Sequence, residues 1–324
     1  MAIFSKMYFN AVFGALGGLL GWMLFGVLGE KNPSNVDLNL LLGGAIIGGS
    51  IGYFVVSVEA IRDQSLVRFA RLASYGVLIA MIGGAFGMYA GDLINTGILK
   101  VVTAMGMTIN TQGVFYLILG MIARGLGWSL LGIAIGASEG IAARSIGKFS
   151  YGTVGGLLGG FIGGVLFELF YYIARQTNTT TYFWSALGLV ILGACIGSLS
   201  ALVQTVFQPA NVKVMRGWQE GREYALDKPA NLLGRDEHAD IALFRDMKVE
   251  KKHCYINQVN GKYFLVNNGA PAEFTLVNET PVADQRELVD GDRIQLGNVI
   301  LKFQLRAALN RAKKTLPLPT ASAS

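Results

Sequence analysis

Long apolar runs fill the first two thirds of the chain and give way to short alternating segments after residue 206. A helix needs about 20 mostly apolar residues to cross a bilayer. Six runs reach that length: 8–29, 39–60, 72–94, 125–143, 151–174 and 184–206. The apolar stretch Val114–Ala123 is too short to span beside the fourth run, so we expect an interfacial or re-entrant piece ending at Arg124. Residues 1–206 are therefore predicted to form an all-α transmembrane bundle.

Residues 207–306 show a different pattern. Segments such as Lys262–Val266 alternate polar and apolar side chains, as a half-buried strand does. Charged residues are also denser, with seventeen Lys/Arg and fourteen Asp/Glu after residue 206 against ten and seven before it. These features predict a soluble all-β domain, which a short linker containing Pro209 joins to the last helix. The tail 307–324 is rich in Pro, Thr, Ala and Ser and is predicted to be disordered.

Glycine motifs recur in the second, fourth and sixth runs, at Ile47–Gly52, Ile135–Gly140 and Leu192–Gly197. The odd runs carry glycine-rich stretches of their own, so the bundle is predicted to contain three repeated helical hairpins. Many of these glycines are four residues apart, which lets helix backbones approach closely where lipid supplies no hydrophobic force between them. We therefore expect a tightly packed glycine zipper, with a pore or transport pathway as the alternative.

Basic residues predict the orientation of the helices. Lys and Arg are somewhat more frequent at the N-terminus and in the second and fourth connections than in the others, where Lys31 and Lys100 fall. By the positive-inside rule, both termini and the all-β domain are predicted to be cytoplasmic.

Four motifs in the C-terminal part occur in a characteristic order. Gly234-Arg235 is followed by the segment 239–243 (ADIAL) and then by 249–253 (VEKKH). The residues 212–226 before them suggest a hairpin, and the segment 288–297 (LVDGDRIQLG) after them suggests a turn between strands. This order resembles the forkhead-associated (FHA) domain, with its Gly-Arg, Asp-Ile-x-Leu, Ser-x-x-His and Gly-Asp signatures. The resemblance covers about a third of the chain and implies a β-sandwich; the combination with a helical bundle is typical of bacterial inner-membrane proteins.

The resemblance also implies a site. FHA domains hold phosphothreonine on loops at one end of the sandwich, and a signalling or assembly role usually follows. The residues that correspond to the family's phosphopeptide-binding positions are Arg235, Glu250, Lys251 and Asn278, and those that correspond to its structural positions are Gly234, His253, Gly291 and Asp292. Two departures stand out: Glu250 replaces the usual Ser, and the segment 270–274 (APAEF) replaces the family's Asn-Gly loop.

Glu250 changes the expected chemistry. A serine hydroxyl donates to phosphate, whereas a carboxylate only accepts and repels a nearby anion by several kcal/mol at about 4 Å. We expect Glu250 to pair with Arg235 or Lys251 and to fill the anion site from within. Phosphothreonine binding and a phosphate-independent protein contact both stay open.

Ionisable residues inside the helical runs are the remaining candidates, because a charge within a span is expensive and often functional. They are Arg124, Glu139 and Glu168. The two glutamates are expected near each other if the fourth and fifth helices form a hairpin, and pairing with Arg144 or Arg175 near the helix ends would give them a structural role.

Catalytic and metal sites are not predicted. The chain has two histidines and two cysteines, Cys195 and Cys254, without metal-ligand spacing, and no nucleotide-binding or nucleophile motif. We expect both thiols to be reduced and buried, no cofactor, no enzymatic activity and no nucleic-acid partner.

The sequence thus favours a membrane-anchored signalling adaptor whose FHA domain binds a protein partner, with the lipid bilayer and a second copy of the chain as further partners to consider. A small channel or transporter regulated by the FHA domain, and a structural component of a membrane complex, are the alternatives.

Overall fold

The computed structural model describes residues 2–28, 35–62, 66–106, 113–177 and 179–306. It divides the chain into two compact units, Met1–Phe207 and Gln208–Ser324. In the described residues the first unit contains six α-helices and the second eleven β-strands. The predicted fold class, an all-α bundle of membrane-spanning character followed by an all-β sandwich, is confirmed. Lys31 and the tail 307–324, which was predicted to be disordered, lie outside the described residues.

The helices are α1 (Ala2–Leu28), α2 (Val36–Arg62), α3 (Leu66–Ala104), α4 (Val114–Ala143), α5 (Ile146–Gln176) and α6 (Thr181–Phe207). All six are long and apolar enough to cross a membrane. The expectation for Val114–Ala123 was wrong, because this segment is the beginning of the continuous helix α4. The helix continues past Arg124. The charge of this residue is accommodated within the bundle because its side chain forms an ion pair with Glu168 of α5.

Each helix packs against its neighbours in the sequence, and α1 also packs against α6, so the six helices close into a ring. The even-numbered helices turn apolar side chains towards the middle of this ring. These side chains belong to one buried cluster that includes Ile47, Ile51, Leu131, Ile135, Leu192 and Ile196. The interior of the bundle is therefore filled mainly by branched aliphatic residues from α2, α4 and α6, with Trp128 and Phe167 in the same cluster.

Glycines set the distances between the helices. A Cβ atom added at Gly136 of α4 would collide with the carbonyl oxygen of Gly152 in α5, and one added at Gly193 of α6 would collide with the carbonyl oxygen of Gly14 in α1. A Cβ atom added at Gly48 of α2 would also collide with a backbone carbonyl oxygen of α3, that of Ala80. The three sequence motifs thus make equivalent contacts, each even helix lying backbone to backbone against an odd one, as expected for close packing in lipid.

The strands of the second unit are β1 (Ala210–Arg216), β2 (Glu223–Ala225), β3 (Ala230–Gly234), β4 (Ile241–Ala242), β5 (Cys254–Val259), β6 (Lys262–Asn267), β7 (Thr275–Val277), β8 (Thr280–Pro281), β9 (Gln285–Leu288), β10 (Arg293–Leu296) and β11 (Val299–Leu305). They form a six-stranded sheet in the order β2-β1-β11-β10-β7-β8 and a five-stranded sheet in the order β4-β3-β5-β6-β9. Only β3 and β4 are parallel among the strand pairs of the described residues. The hairpin expected in 212–226 is present as β1 and β2.

Alternating side chains from both sheets make the core of the sandwich. Val212, Val214, Ile256, Leu265 and Phe303 are among its fully buried members. The strand directions place the β3–β4, β4–β5 and β6–β7 loops together at one end, because β5 begins where β3 and β6 end. We call these three segments, 235–240, 243–253 and 268–274, the loop end.

Candidate functional site

Backbone hydrogen bonds join the first two segments of the loop end. The N–H groups of Arg235 and Asp236 donate to the carbonyl oxygens of Glu250 (2.9 Å) and Lys251 (3.2 Å). A Cβ atom at Gly234 would collide with the Lys251 carbonyl oxygen, so the β3 backbone can approach the next loop this closely only at a glycine. The Gly-Arg pair therefore fixes where the Arg235 side chain begins.

His253 links the second and third segments of the loop end from below. Its ring is completely buried, and burial lowers its pKa from the usual value. The Glu250 N–H donates to Nδ1 at 3.0 Å, so Nδ1 is an acceptor and the proton of the neutral ring is on Nε2. Nε2 then donates to the Thr275 hydroxyl at 2.9 Å, and that hydroxyl lies 3.4 Å from the Pro271 carbonyl oxygen. One chain of hydrogen bonds thus holds the β4–β5 loop against the β6–β7 loop.

Arg235 lies half-buried above this support. One terminal nitrogen of its guanidinium contacts the Met247 sulfur at 3.1 Å, and Nε is buried without an acceptor among the described residues. Lys251 and Glu250 are both exposed beside it. Within the described part of the chain Glu250 forms no ion pair, so the expectation that its carboxylate neutralises Arg235 or Lys251 was wrong. The backbone of Glu250 bonds to His253 and Arg235, and its side chain is exposed.

Asn278 is separated from these residues by the length of a strand. It lies in the turn after β7 with a φ of 50°, where its Nδ2 donates to Asp292 Oδ1 at 2.8 Å and its Oδ1 accepts from the Arg293 N–H at 2.9 Å. Asp292 also accepts the Val289 N–H, and Gly291 has a φ of 94°, so these residues form one turn cluster. The register of β7 and β10 puts this cluster at the end of the sheet opposite Thr275, which excludes Asn278 from the loop end.

Asp246 of the loop end has a structural role that the sequence pattern did not reveal. It is buried, and its carboxylate accepts the N–H groups of Lys248 (3.0 Å) and Asn298 (2.5 Å), which ties the β4–β5 loop to the β10–β11 turn. An Asp two residues before a Lys in a loop signals such a local turn, but nothing in the pattern reveals Asn298, 52 positions away. Beside it, Arg245 stacks 4.2 Å from the centre of the Trp218 ring and helps to line a cavity of about 150 Å³.

The ionisable residues of the helical unit fall into two separate clusters. The helices α4 and α5 form the expected hairpin, but Glu139 and Glu168 lie at its opposite ends: Glu168 faces Gly120 near the start of α4, whereas Gly140 next to Glu139 faces Phe149 at the start of α5. Glu168 pairs with Arg124 and not with Arg175.

Glu139 belongs to a buried polar contact near the other end of the hairpin. Gln204 donates to its carboxylate at 2.7 Å, and Lys6 donates to the Gln204 side-chain oxygen at 3.3 Å. The hydrogen bonds from Lys6 to Gln204 and from Gln204 to Glu139 connect α1, α6 and α4. These polar groups therefore have a structural role.

Neither the thiols nor the acidic residues suggest a metal centre. Among the described residues no group of three His, Cys, Asp or Glu side chains could hold an ion. Both cysteines are free; Cys254 is fully buried in the sandwich, where burial raises its pKa, and Cys195 is only half-buried, which differs from the expectation of two buried thiols.

Comparison with known proteins agrees with this geometry. Residues 213–307 match the family described as "inner membrane component of T3SS, cytoplasmic domain". The oxoglutarate dehydrogenase inhibitor of Corynebacterium diphtheriae is 30% identical over 131 residues, which cover 40% of this chain and 89% of that protein. The glycogen accumulation regulator GarA of Mycolicibacterium smegmatis is 32% identical over 107 residues, which cover 33% of this chain and 66% of that protein.

Among solved structures, a domain studied for phosphothreonine-dependent FHA domain interactions is 28% identical, with a TM-score of 0.28, and the match covers 30% of this chain and 97% of that one. The C-terminal unit is an FHA domain. Among the described residues this domain follows six candidate membrane spans.

Proposed function

We propose that the protein is a membrane-anchored adaptor whose FHA domain recruits a protein partner. In this proposal Arg235 binds a phosphothreonine of the partner. The observation that carries this proposal is the state of the Arg235 side chain. Its Nε is buried without an acceptor, and in the described residues no carboxylate pairs with its guanidinium. A buried donor that lacks an acceptor costs about 1–3 kcal/mol. An anionic ligand group at this place would supply the acceptor.

Some neighbours of Arg235 favour the binding of a phosphate group, and one neighbour weakens it. Lys251 is exposed on the adjoining loop and offers a second cation, and the support through His253 fixes the loop backbone. Glu250 has the opposite effect, because its carboxylate repels a dianion. Since Glu250 is exposed, the surroundings are closer to bulk water than the surface-like dielectric behind the value of several kcal/mol, and the repulsion falls to about 1–2 kcal/mol. Phosphate binding at this site therefore requires that the attraction of Arg235 and Lys251 exceed the repulsion of Glu250.

Fluorescence titration of the full-length protein in detergent against a phosphothreonine peptide library tests the proposal. We expect Arg235→Ala to abolish binding and Glu250→Ser to tighten it about fivefold, since it removes the repulsion and restores a donor. Lys262→Ala is a matched control, because Lys262 is paired with Glu287 and lies at the start of β6, the far end of the strand from the loop end. Binding that is equal for phosphorylated and unphosphorylated peptides, or unchanged by Arg235→Ala, would show a phosphate-independent contact instead.

The adaptor role requires that the partner be held by the FHA domain and not by the helices. We propose a multi-pass protein of the inner membrane with both termini and the FHA domain in the cytoplasm, which the distribution of Lys and Arg and the match to a cytoplasmic domain support. Affinity capture that compares the full-length protein with a truncation after Gln208 tests the role. Partners that are retained by the truncated protein would favour a channel or a structural part of a membrane complex.

A further inference from the structure

The helical unit has a polar site at the end where α4 begins and α5 ends. Two adjoining cavities of about 120 and 30 Å³ lie there, and both are lined by Arg124 of α4 and Asn95 of α3. The larger one is otherwise mostly apolar, with Leu40, Met88 and Trp128 in its wall, whereas the smaller one is lined by polar and charged groups. This site is far along the helices from Glu139.

Positive charge exceeds negative charge at the smaller cavity. Arg124 and Arg175 line it against one carboxylate, Glu168, which is buried and pairs with Arg124. In the described residues Arg175 has no carboxylate partner. Asp92 lines the larger cavity and not the smaller one, so it does not neutralise Arg175.

Aromatic rings hold the Arg175 guanidinium in place. Its central carbon lies 4.4 Å from the centre of the Tyr171 ring and 5.9 Å from that of Tyr116. Arg175 also forms side-chain hydrogen bonds with both tyrosines. A guanidinium has five N–H donors, so donors at its edge are left for an anion. Arg175 is exposed at the last turn of α5, so a ligand from outside the bundle can reach it.

Exposed apolar residues adjoin this cation. Phe115, Ile118 and Ile122 of α4 are between 46% and 55% exposed, and their spacing puts them on one face, next to the face that carries Tyr116. Tyrosine and arginine beside a lipid-facing apolar surface are typical of the membrane–water interface. The cation therefore sits where a lipid phosphate would meet its acyl chains.

We propose that Arg175, held by Tyr116 and Tyr171 and assisted by Arg124, binds a phosphate group at the membrane surface opposite the end at which α6 leads into the sandwich. An anionic phospholipid headgroup and free phosphate share this chemistry, because both present phosphate oxygens to the N–H donors of a guanidinium. The apolar face of α4 beside the site adds contacts that only the lipid would use.

The test uses the full-length protein in nanodiscs of phosphatidylcholine, to which phosphatidylglycerol or, separately, inorganic phosphate is added. Native mass spectrometry counts bound lipid, and the thermal midpoint reports stabilisation by either ligand. We expect saturable binding that Arg175→Gln weakens about fivefold, the effect of one cation at a headgroup. Arg175→Lys keeps the charge and should retain most of the binding, which shows that a loss in Arg175→Gln is not misfolding.

Lys100→Gln is the matched control, because Lys100 is an exposed cation towards the end of α3 that lines neither cavity. Binding of phosphatidylglycerol alone identifies the lipid as the source of the phosphate, and binding of inorganic phosphate identifies a soluble anion; either result supports the site. The proposal is overturned if neither ligand binds the wild-type protein, if Arg175→Gln binds as well as the wild type, or if Lys100→Gln weakens binding to the same extent.

Discussion

Removing the His253 side chain should destabilise the FHA domain by roughly 3–5 kcal/mol. His253→Ala leaves the part-buried Glu250 N–H without its acceptor, which costs about 1 kcal/mol, the low end of the range for a buried group. It also takes a ring out of a site with no solvent exposure, and truncations of large core side chains to Ala cost about 2–5 kcal/mol. Thr275 loses one partner but keeps the Pro271 carbonyl, so its share of the cost is smaller.

Cys254 provides an assay that reports on the FHA domain alone. Its thiol is fully buried, so a maleimide reaches it only when the sandwich opens. In a Cys195→Ala background the full-length protein is equilibrated in urea and labelled with a short maleimide pulse at neutral pH. The labelled fraction then gives the free energy of unfolding of this unit without interference from the helices.

Two variants separate the hydrogen bonds of His253 from its packing. Thr275→Val keeps the shape and removes only the hydroxyl, and it should cost about 1–2 kcal/mol. The double variant with His253→Ala should cost less than the sum, because the two side chains share one hydrogen bond. His238→Ala is the control, since His238 is exposed. A cost below about 1 kcal/mol for His253→Ala, or strictly additive effects, would refute the proposed network.

Three further predictions use the same protein. First, burial lowers the His253 pKa in the folded state, so the contribution of the neutral ring to stability is complete above the unfolded pKa of about 6.5. This contribution is lost as the pH falls below that value, by at most about 1.4 kcal/mol per pH unit. The urea midpoints of the wild type and a His253→Gln variant should therefore differ less at about pH 5.5 than at about pH 7.5. Second, Gly136→Ala should destabilise the helical unit by about 1–3 kcal/mol, whereas Gly97→Ala, which meets no atom within 4 Å, should be neutral or stabilising in thermal unfolding followed by circular dichroism. Third, Asp246→Ala should cost about 2–4 kcal/mol in the Cys254 assay and Asp246→Asn less, because the amide oxygen still accepts one N–H; equal losses would contradict the bonding described.

The elements that the sequence predicted well are those that a local pattern determines. Six apolar runs became six helices, and the alternation at Lys262–Val266 became β6. Arg124 was the exception. A single charge ends a run in a hydropathy reading, but its ion pair with Glu168, 44 residues away, lets the helix continue. Partners at this distance are determined by the packing of α4 on α5, and a hydropathy window of about 20 residues does not include both of them.

The candidate site was predictable in its backbone and not in its side-chain pairing. Gly234, Arg235 and His253 lie where their motif implies, because each is tied to a loop by short-range geometry. Glu250 was expected to neutralise a cation, yet its backbone N–H is committed to His253 and its side chain is exposed. Asn278 was assigned from the resemblance to the FHA family, but the strand direction takes it to the opposite end of the sheet.

The repeat in the helical unit bears on whether anything passes through it. Aligning the three glycine motifs places Glu139 at the position that Ile51 and Ile196 occupy in the other two, and both isoleucines are fully buried in the bundle. A continuous polar pathway along the middle of a ring of three hairpins would need polar groups or water along its whole length. Here one repeat supplies a carboxylate, which Gln204 engages, and the other two supply aliphatic side chains. That arrangement favours a packed anchor over a conduit, and it directs the search for function to the FHA domain and to the surfaces of the bundle.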